Sequence, residues 1–393
     1  MKKITSIIFS TILIFHIYSV KAQNYNQNID NIVAECSYDT ILQNLDEFED
    51  LGIKEPGTTE LENTLFWLED KYASYGYSDF YRDTFTYAGH TLVNLVVTKQ
   101  GSQFPDKNLI ICGHYDTKNG PGVNDNGSGT AAILEIARLL EPLTSKYTVK
   151  FINFSGEEDG LLGSSHYVEN VVNPSGMDIV LVFNIDAIGG VNGEDNSIIV
   201  CERDESSPSS NNDNSAAFTD SLATLVNLYS NLEAEISYAY GSDYVPFQEN
   251  EYVITGFYNY VESPYYHTEN DILANVDVDY IYETTKAAIG ASLFFSKSFD
   301  PSVLVSENKV QNIEIYPNPI SSSATLNVSP FMGNDITINI HDIAGKEVFT
   351  DHFRVISSIY PLNFDNQKSG FYLITIESDN NLFTEKIIVS KNK

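Results

Sequence analysis

Several short groups of residues in this chain combine imidazole, carboxylate and glycine in ways that suit metal chemistry. One runs LIICGHYDTKNGPGVNDNGSG from Leu109 to Gly129: an apolar run, a break at Gly113, then His114, Asp116 and Asp125 around a glycine-rich turn. A second, Gly156-Glu157-Glu158-Asp159-Gly160, follows the apolar run 147–155, and Asp186 follows a third such run at 178–184. His267 comes after the run 252–260 and a turn at Ser263-Pro264. Adjacent glutamates ordinarily mark a solvated helix start, where they complement the helix dipole. Here glycines flank the pair and an apolar strand precedes it, so the turn aims both carboxylates at the strand's carboxyl end. Two imidazoles with Asp125, Glu158 and Asp186 make a mixed nitrogen and oxygen shell suited to zinc. One carboxylate shared between two ions about 3.5–4 Å apart would form a co-catalytic pair. Glu157, beside a ligand yet free, is then the general base for a metal-activated water. His90, in a hairpin turn, and His166, in a helix, read as ordinary polar positions.

These side chains need a scaffold, and the surrounding pattern supplies one. Leu61, Leu65, Trp67-Leu68 and Tyr72 mark an apolar stripe over Thr58–Tyr75, which predicts a helix stopped by Gly76. Residues 80–87 and 91–99 predict strands joined at Ala88-Gly89. Apolar runs at 109–112, 147–155, 178–184, 198–201 and 252–260 predict further strands, and 131–140, 161–172, 218–232 and 278–295 predict helices, the first of them amphipathic. The Ser/Asn/Asp-rich stretch 202–215 reads as a mobile loop. Alternation of strand, loop and helix predicts a three-layer α/β/α sandwich around a mostly parallel mixed sheet, with its site at the carboxyl edge. Helical patterning ceases near Ser298-Phe299-Asp300-Pro301, and from residue 313 only short β-like runs (336–341, 371–376, 384–389) and turn residues follow, which predicts a small C-terminal β-sandwich.

Five ordered blocks resemble peptidase family M28, the zinc aminopeptidases: His114-Tyr115-Asp116; Pro121 to Gly129; Ser155 to Ser164; Asn184 to Gly189; and Tyr265-Tyr266-His267-Thr268. The resemblance implies two zinc ions per chain, one held by His114 and Asp186, the other by Glu158 and His267, with Asp125 shared. It implies Glu157 as base, Asp116 hydrogen-bonded to His114, a cis peptide at Asp125–Asn126, and Tyr266 as a hydroxyl donor to the oxyanion. The implied reaction is hydrolysis of N-terminal residues from peptides. Tyr258, Tyr260 and Tyr265 are candidates for a pocket around the first side chain. One departure is Tyr244, where many relatives have histidine. A glutaminyl cyclase on the same scaffold, or a metal-binding protein without catalysis, are the alternatives; the blocks at 126–129 and 159–163 follow the peptidase pattern, and no ligand or base is missing. A carboxypeptidase would want a basic pocket, and residues 241–267 contain no Lys or Arg. Ile315-Tyr316-Pro317-Asn318-Pro319, Asp342 to Lys346 and Ser369 to Leu373 resemble the type IX secretion sorting domain, which implies that export machinery as a partner.

Composition narrows the remaining classes. Met1-Lys2-Lys3, an apolar run and Val20-Lys21-Ala22 predict a signal peptide over residues 1–22. The expected order is then leader, peptidase domain 23–299, linker 300–312 and sorting domain 313–393, with export through the periplasm to the cell surface or medium. A net charge of −32 argues against nucleic acid as a partner, since phosphate binding relies on excess Lys and Arg. No later run approaches membrane-spanning length, so no stable membrane span is expected. Cys36, Cys112 and Cys201 are the three cysteines; Cys112 falls inside an apolar strand, and the sequence leaves open whether the other two pair and whether residues 23–54 form a pro-segment.

Overall fold

The computed structural model describes residues 25–239, 241–299, 314–342, 346–378 and 381–391. The expected leader at 1–22 and linker at 300–312 lie outside them, as do Gly345 and Asn380, two of the residues whose turn chemistry separates the C-terminal β-like runs in the sequence. The chain divides into two compact units, Met1–Val303 and Leu304–Lys393.

In the first unit, eight strands form one mixed sheet: β1 (Phe80–Tyr87), β2 (His90–Lys99), β3 (Phe104–His114), β4 (Tyr147–Phe154), β5 (Asp178–Ile185), β6 (Ile198–Arg203), β7 (Glu233–Tyr238) and β8 (Ile254–Asn259), in the order β1-β2-β4-β3-β5-β8-β6-β7. The four central strands β4, β3, β5 and β8 run parallel. Their side chains are buried on both faces, which is why they read as continuous apolar runs rather than alternating ones. β1, β2 and β6 add antiparallel pairings toward the edges. β7, with its outward Ile236 and Tyr238 exposed, is an edge strand that the sequence pattern does not reveal.

One face of the sheet is covered by α1 (Gln27–Val33), α2 (Tyr38–Asp50), α3 (Thr59–Tyr75), α4 (Gly129–Leu140) and the helices Asn212–Tyr229 and Val278–Ser296. The helical run from Leu162 to Ser175 and the short helix Val245–Glu249 cover the other. Thr58 caps α3 by accepting the Leu61 N–H, and Gly76 ends it at φ 109°. α4 departs from the amphipathic expectation, because it is packed against α2, α3 and the helix Val278–Ser296 and is buried nearly all round. Its one buried charge, Glu135, is matched by a two-pronged Arg138 contact (2.6 and 2.7 Å) and by the Ser37 N–H at 2.7 Å.

One further expectation changes, and the open question of cysteine pairing is answered. The 202–215 stretch is built into the fold: Asn211 donates to Asp204 at 2.8 Å, and Ser215 accepts the Asp204 N–H and donates to the Ile254 carbonyl. Asp204, Asn211 and Ser215 are buried and bonded to one another or to neighbouring backbone, which composition alone does not reveal. Cys36 and Cys201 are both free and buried, as is Cys112. Residues 27–54 are part of the core, with Ile41, Leu45 and Phe48 fully covered and the Phe48 ring seated on Gly127.

The second unit is all β. β9 (Ile315–Tyr316), β10 (Ser323–Asn327) and β13 (Ile359–Asn363) make one antiparallel sheet; β11 (Asp335–Asp342), β12 (Glu347–Arg354), β14 (Gly370–Ser378) and β15 (Asn381–Val389) make the other. Ile320, Leu326, Ile338, Ile340, Leu362, Ile374 and Ile376 fill the space they share. No helix among the described residues is long and apolar enough to cross a membrane.

Phe48→Ala should lower the free energy of unfolding by about 3–5 kcal/mol, the usual cost of emptying a well-packed aromatic site. Urea denaturation followed by far-UV circular dichroism measures it, and a loss below 1 kcal/mol would mean that α2 is dispensable to the core.

Candidate metal centre

β3 is the switch point of the sheet, with β4 on one side and β5 on the other. His114 pairs in register with Phe154, Cys112 with Asn184, and Ile185 with Phe257, so the carboxyl ends of the four parallel strands arrive level. The segments leaving those ends carry His114, Glu157-Glu158, Asp186 and, after a longer excursion, His267. This is where open α/β sheets place ligands.

Two clusters result. Ligand atoms of His114, Asp125 and Asp186 lie within 4.8 Å of one another, as do those of Asp125, Glu158 and His267. Asp125 belongs to both: Oδ1 is 3.2 Å from His114 Nε2, and Oδ2 is 3.3 Å from His267 Nε2. Asp186 Oδ1 lies 3.3 Å from His114 Nε2, and Glu158 Oε2 lies 2.6 Å from His267 Nε2. The other Glu158 oxygen is buried without a hydrogen-bond partner.

Asp116 lies against His114, through its backbone carbonyl as well as its carboxylate. His114 Nδ1 meets the Asp116 backbone carbonyl at 3.1 Å, while the carboxylate stands 3.7 Å away. A carbonyl only accepts, so Nδ1 carries a proton and the Nε2 position faces two carboxylates. The Asp116 carboxylate also accepts the N–H groups of Glu157 and Glu158, each at 3.2 Å, and so shapes the turn that presents both glutamates. Tyr266 is half exposed and lines the cleft, its ring 4.6 Å from that of His267.

Electrostatics here call for positive charge. Burial disfavours a charged His114, yet Asp186 and Glu157 push its imidazole well toward the protonated form. Burial raises the Glu157 carboxyl strongly, and burial with the Asp125 charge raises Glu158 to about 9. Against burial, hydrogen bonds from His114 and His267 hold Asp125 well below the usual carboxylate range. The cleft of about 460 Å³ above these groups has no Lys or Arg in its lining. Imidazole nitrogens and carboxylate oxygens converging without a cationic side chain, one oxygen orphaned, fit a pair of divalent cations with zinc's preferences.

A second set of residues, silent in the sequence, fixes the loops. Asp271 accepts the N–H groups of Asn124 (2.7 Å) and Asp125 (3.0 Å). Asn126 donates to the Ile185 carbonyl and accepts from Gly129 and Ala187. Asn124 accepts from Gly189 and Asn259. Ser242 donates to Asp186 Oδ2 at 2.5 Å and accepts from Asn184. Lys54 is fully buried; its ammonium donates to the carbonyls of Gly52 and Pro121 and lies over the Phe48 ring. Gly120 sits against the Thr268 carbonyl, where a β-carbon would lie 1.9 Å from the oxygen, so the loops bearing Asp125 and His267 pack directly on each other. The Asp125–Asn126 peptide is cis.

A sequence model of peptidase family M28 matches residues 94–291, and a model of a secretion system C-terminal sorting domain matches residues 314–390. Aminopeptidase YwaD of Bacillus subtilis is 37% identical over 105 residues, 26% of this chain and 23% of that protein. The chain spans about a quarter of the length of the curated relatives it matches. Among solved structures, the LapA aminopeptidase of Legionella pneumophila is similar with a TM-score of 0.59 at 22% identity, over 70% of this chain and 77% of that one. A glutaminyl cyclase of Macrostomum lignano is similar with a TM-score of 0.61 at 17% identity, over 69% and 94%. At these identities the likeness is one of fold, and the fold alone does not choose between the two chemistries.

Ser242→Ala removes the donor that holds Asp186 Oδ2. Zinc affinity of the metal-free protein, read by competition with a chromophoric chelator, should fall about 10–100-fold while the circular dichroism spectrum is kept. Unchanged affinity would mean that Asp186 needs no such support.

Proposed function

Because the chain belongs to peptidase family M28, we propose that it is an exported aminopeptidase that removes N-terminal residues from peptides, with two zinc ions per chain. The observation that carries this reading is the double allegiance of Asp125, whose two oxygens face different histidines in two ligand clusters at the floor of one cleft. In this reading His114 and Asp186 hold one ion, Glu158 and His267 the other, and Asp125 both. When bound, such a pair polarises the scissile carbonyl and makes water more acidic at neutral pH.

The chain's own residues do the rest. Glu157 lines the cleft, belongs to neither ligand cluster, and is held in place by the Asp116 carboxylate through its backbone N–H. It takes the proton of the attacking water and delivers it to the departing amide nitrogen, so that one carboxyl group serves as base and then as acid. Tyr266, beside His267 on the cleft wall, donates its hydroxyl to the oxyanion. The carboxylates at the cleft floor attract the free α-ammonium of the substrate, and this selects chain ends over internal peptide bonds. The family match to a sorting domain over residues 314–390 supports export through type IX secretion, with the leader at 1–22 directing the first step through the periplasm.

Glu157→Ala should keep parental zinc content by elemental analysis yet lose about 10²–10⁴-fold in turnover of aminoacyl-p-nitroanilides. Cleavage at the parental rate would overturn the mechanism. Cyclisation of N-terminal glutaminyl peptides without any hydrolysis by the parent would replace the peptidase reading with a glutaminyl cyclase.

A further inference from the structure

The cleft contains one carboxylate that this chemistry leaves unused. Glu262 lines it alongside Leu161, Ala187, Tyr258 and Tyr266. The ligand carboxylates are at least partly buried at the floor, whereas Glu262 is exposed and so stands nearer the mouth. No hydrogen bond or ion pair engages its side chain among the described residues, and no Lys or Arg lines the cleft to neutralise it. Tyr260 and Tyr265, both candidates for this pocket, are not among the lining residues; Tyr258 is.

A substrate whose scissile bond sits at the floor directs its first side chain along the remaining wall. That wall offers carbon surface from Leu161, Ala187 and two tyrosine rings, with a free carboxylate beyond it. An alkyl stem that ends in a cation satisfies both parts, since Lys and Arg bury their stems while the charged head stays near water. A neutral side chain leaves Glu262 without a counter-charge, and an acidic one meets like charge at floor and mouth alike. The acidic character of the whole chain, at −32, draws cationic peptides toward it.

We propose that the preferred substrates are peptides with an N-terminal lysine or arginine, and that Glu262 is the residue that selects them. This rests on the aminopeptidase reading above. The test compares kcat/KM of the full zinc-loaded chain and of Glu262→Gln on the p-nitroanilides of lysine, arginine, norleucine and glutamate. Norleucine keeps the stem of lysine without its charge. The parent should favour lysine over norleucine by about five-fold or more, the scale of one partly exposed ion pair, and disfavour glutamate. Glu262→Gln should bring the lysine-to-norleucine ratio down about five-fold, and added salt should shrink the parental preference. A parent that prefers norleucine, or a variant that loses lysine and norleucine equally, overturns the assignment; the second result would place Glu262 on the α-ammonium common to all substrates. Failure of the parent to cleave any of the four overturns the aminopeptidase reading itself and this inference with it.

Discussion

The constraint on which this structure turns is the gathering of carboxylates around two imidazoles with no cationic side chain among them. Asp125, Glu158 and Asp186 are drawn close to His114 and His267, with Glu157 and the Asp116 carboxylate behind. Like charges at such spacing repel strongly in a medium less polar than water. In the metal-free protein protons relieve that repulsion, on His114 and on the raised carboxyl groups. A divalent ion relieves it better and displaces those protons, so metal binding and proton release are coupled.

Holding the groups there against their repulsion falls to neutral donors. Backbone N–H groups and the side chains of Asn124, Asn126 and Ser128 lock the Asp125 loop to the Asp186 loop, Ser128 by accepting the Ile188 N–H while donating to the Asn124 carbonyl, and Ser242 holds Asp186 itself. Asp271 and Lys54 add a buried acid and base behind them. Burial raises the Asp271 carboxyl to about 7 and lowers the Lys54 ammonium to about 7, each partly opposed by the other's charge. The N-terminal helices therefore do more than cover the sheet. Through Phe48 on Gly127 and Lys54 on the Pro121 carbonyl they brace the turn from which Asp125 projects.

Much of this was legible in the sequence, for a physical reason. A buried parallel strand must be apolar, and a polar residue just past its end has only the carboxyl edge of the sheet to occupy. His114, Glu157, Glu158 and Asp186, at the ends of neighbouring strands, therefore had to meet, and Asp125 and His267 join them from longer loops. The readable signals were the strand ends and glycine turns; what lay unread was whatever depends on one isolated polar residue. Asp271 in a polar loop, Ser242 before Asp243, and Lys54 after a helix look like surface positions until their partners are known. At Asp116 the neighbourhood of His114 was readable, while the share taken by its backbone carbonyl was not. The edge strand β7 escaped because it is mostly exposed and carries no apolar run, and the 202–215 segment because Asp204, Asn211 and Ser215 find partners that composition does not record.

One feature of the chain path has a bearing on how the protein comes into being. The residues of the two clusters enter at positions 114, 125, 158, 186 and 267, and the groups that brace them at 54, 242 and 271. No short stretch contains a complete cluster: the first spans residues 114–186 and the second 125–267. Only His114 and Asp125 are near neighbours along the chain; the other pairs must be closed over long loops, and such closures come late and slowly because their entropy is spent before their contacts are made. The carboxylates are consequently far apart, and well hydrated, for as long as the chain is unfolded. Their mutual repulsion is met only where the sheet, the helices and the loops come together to absorb it.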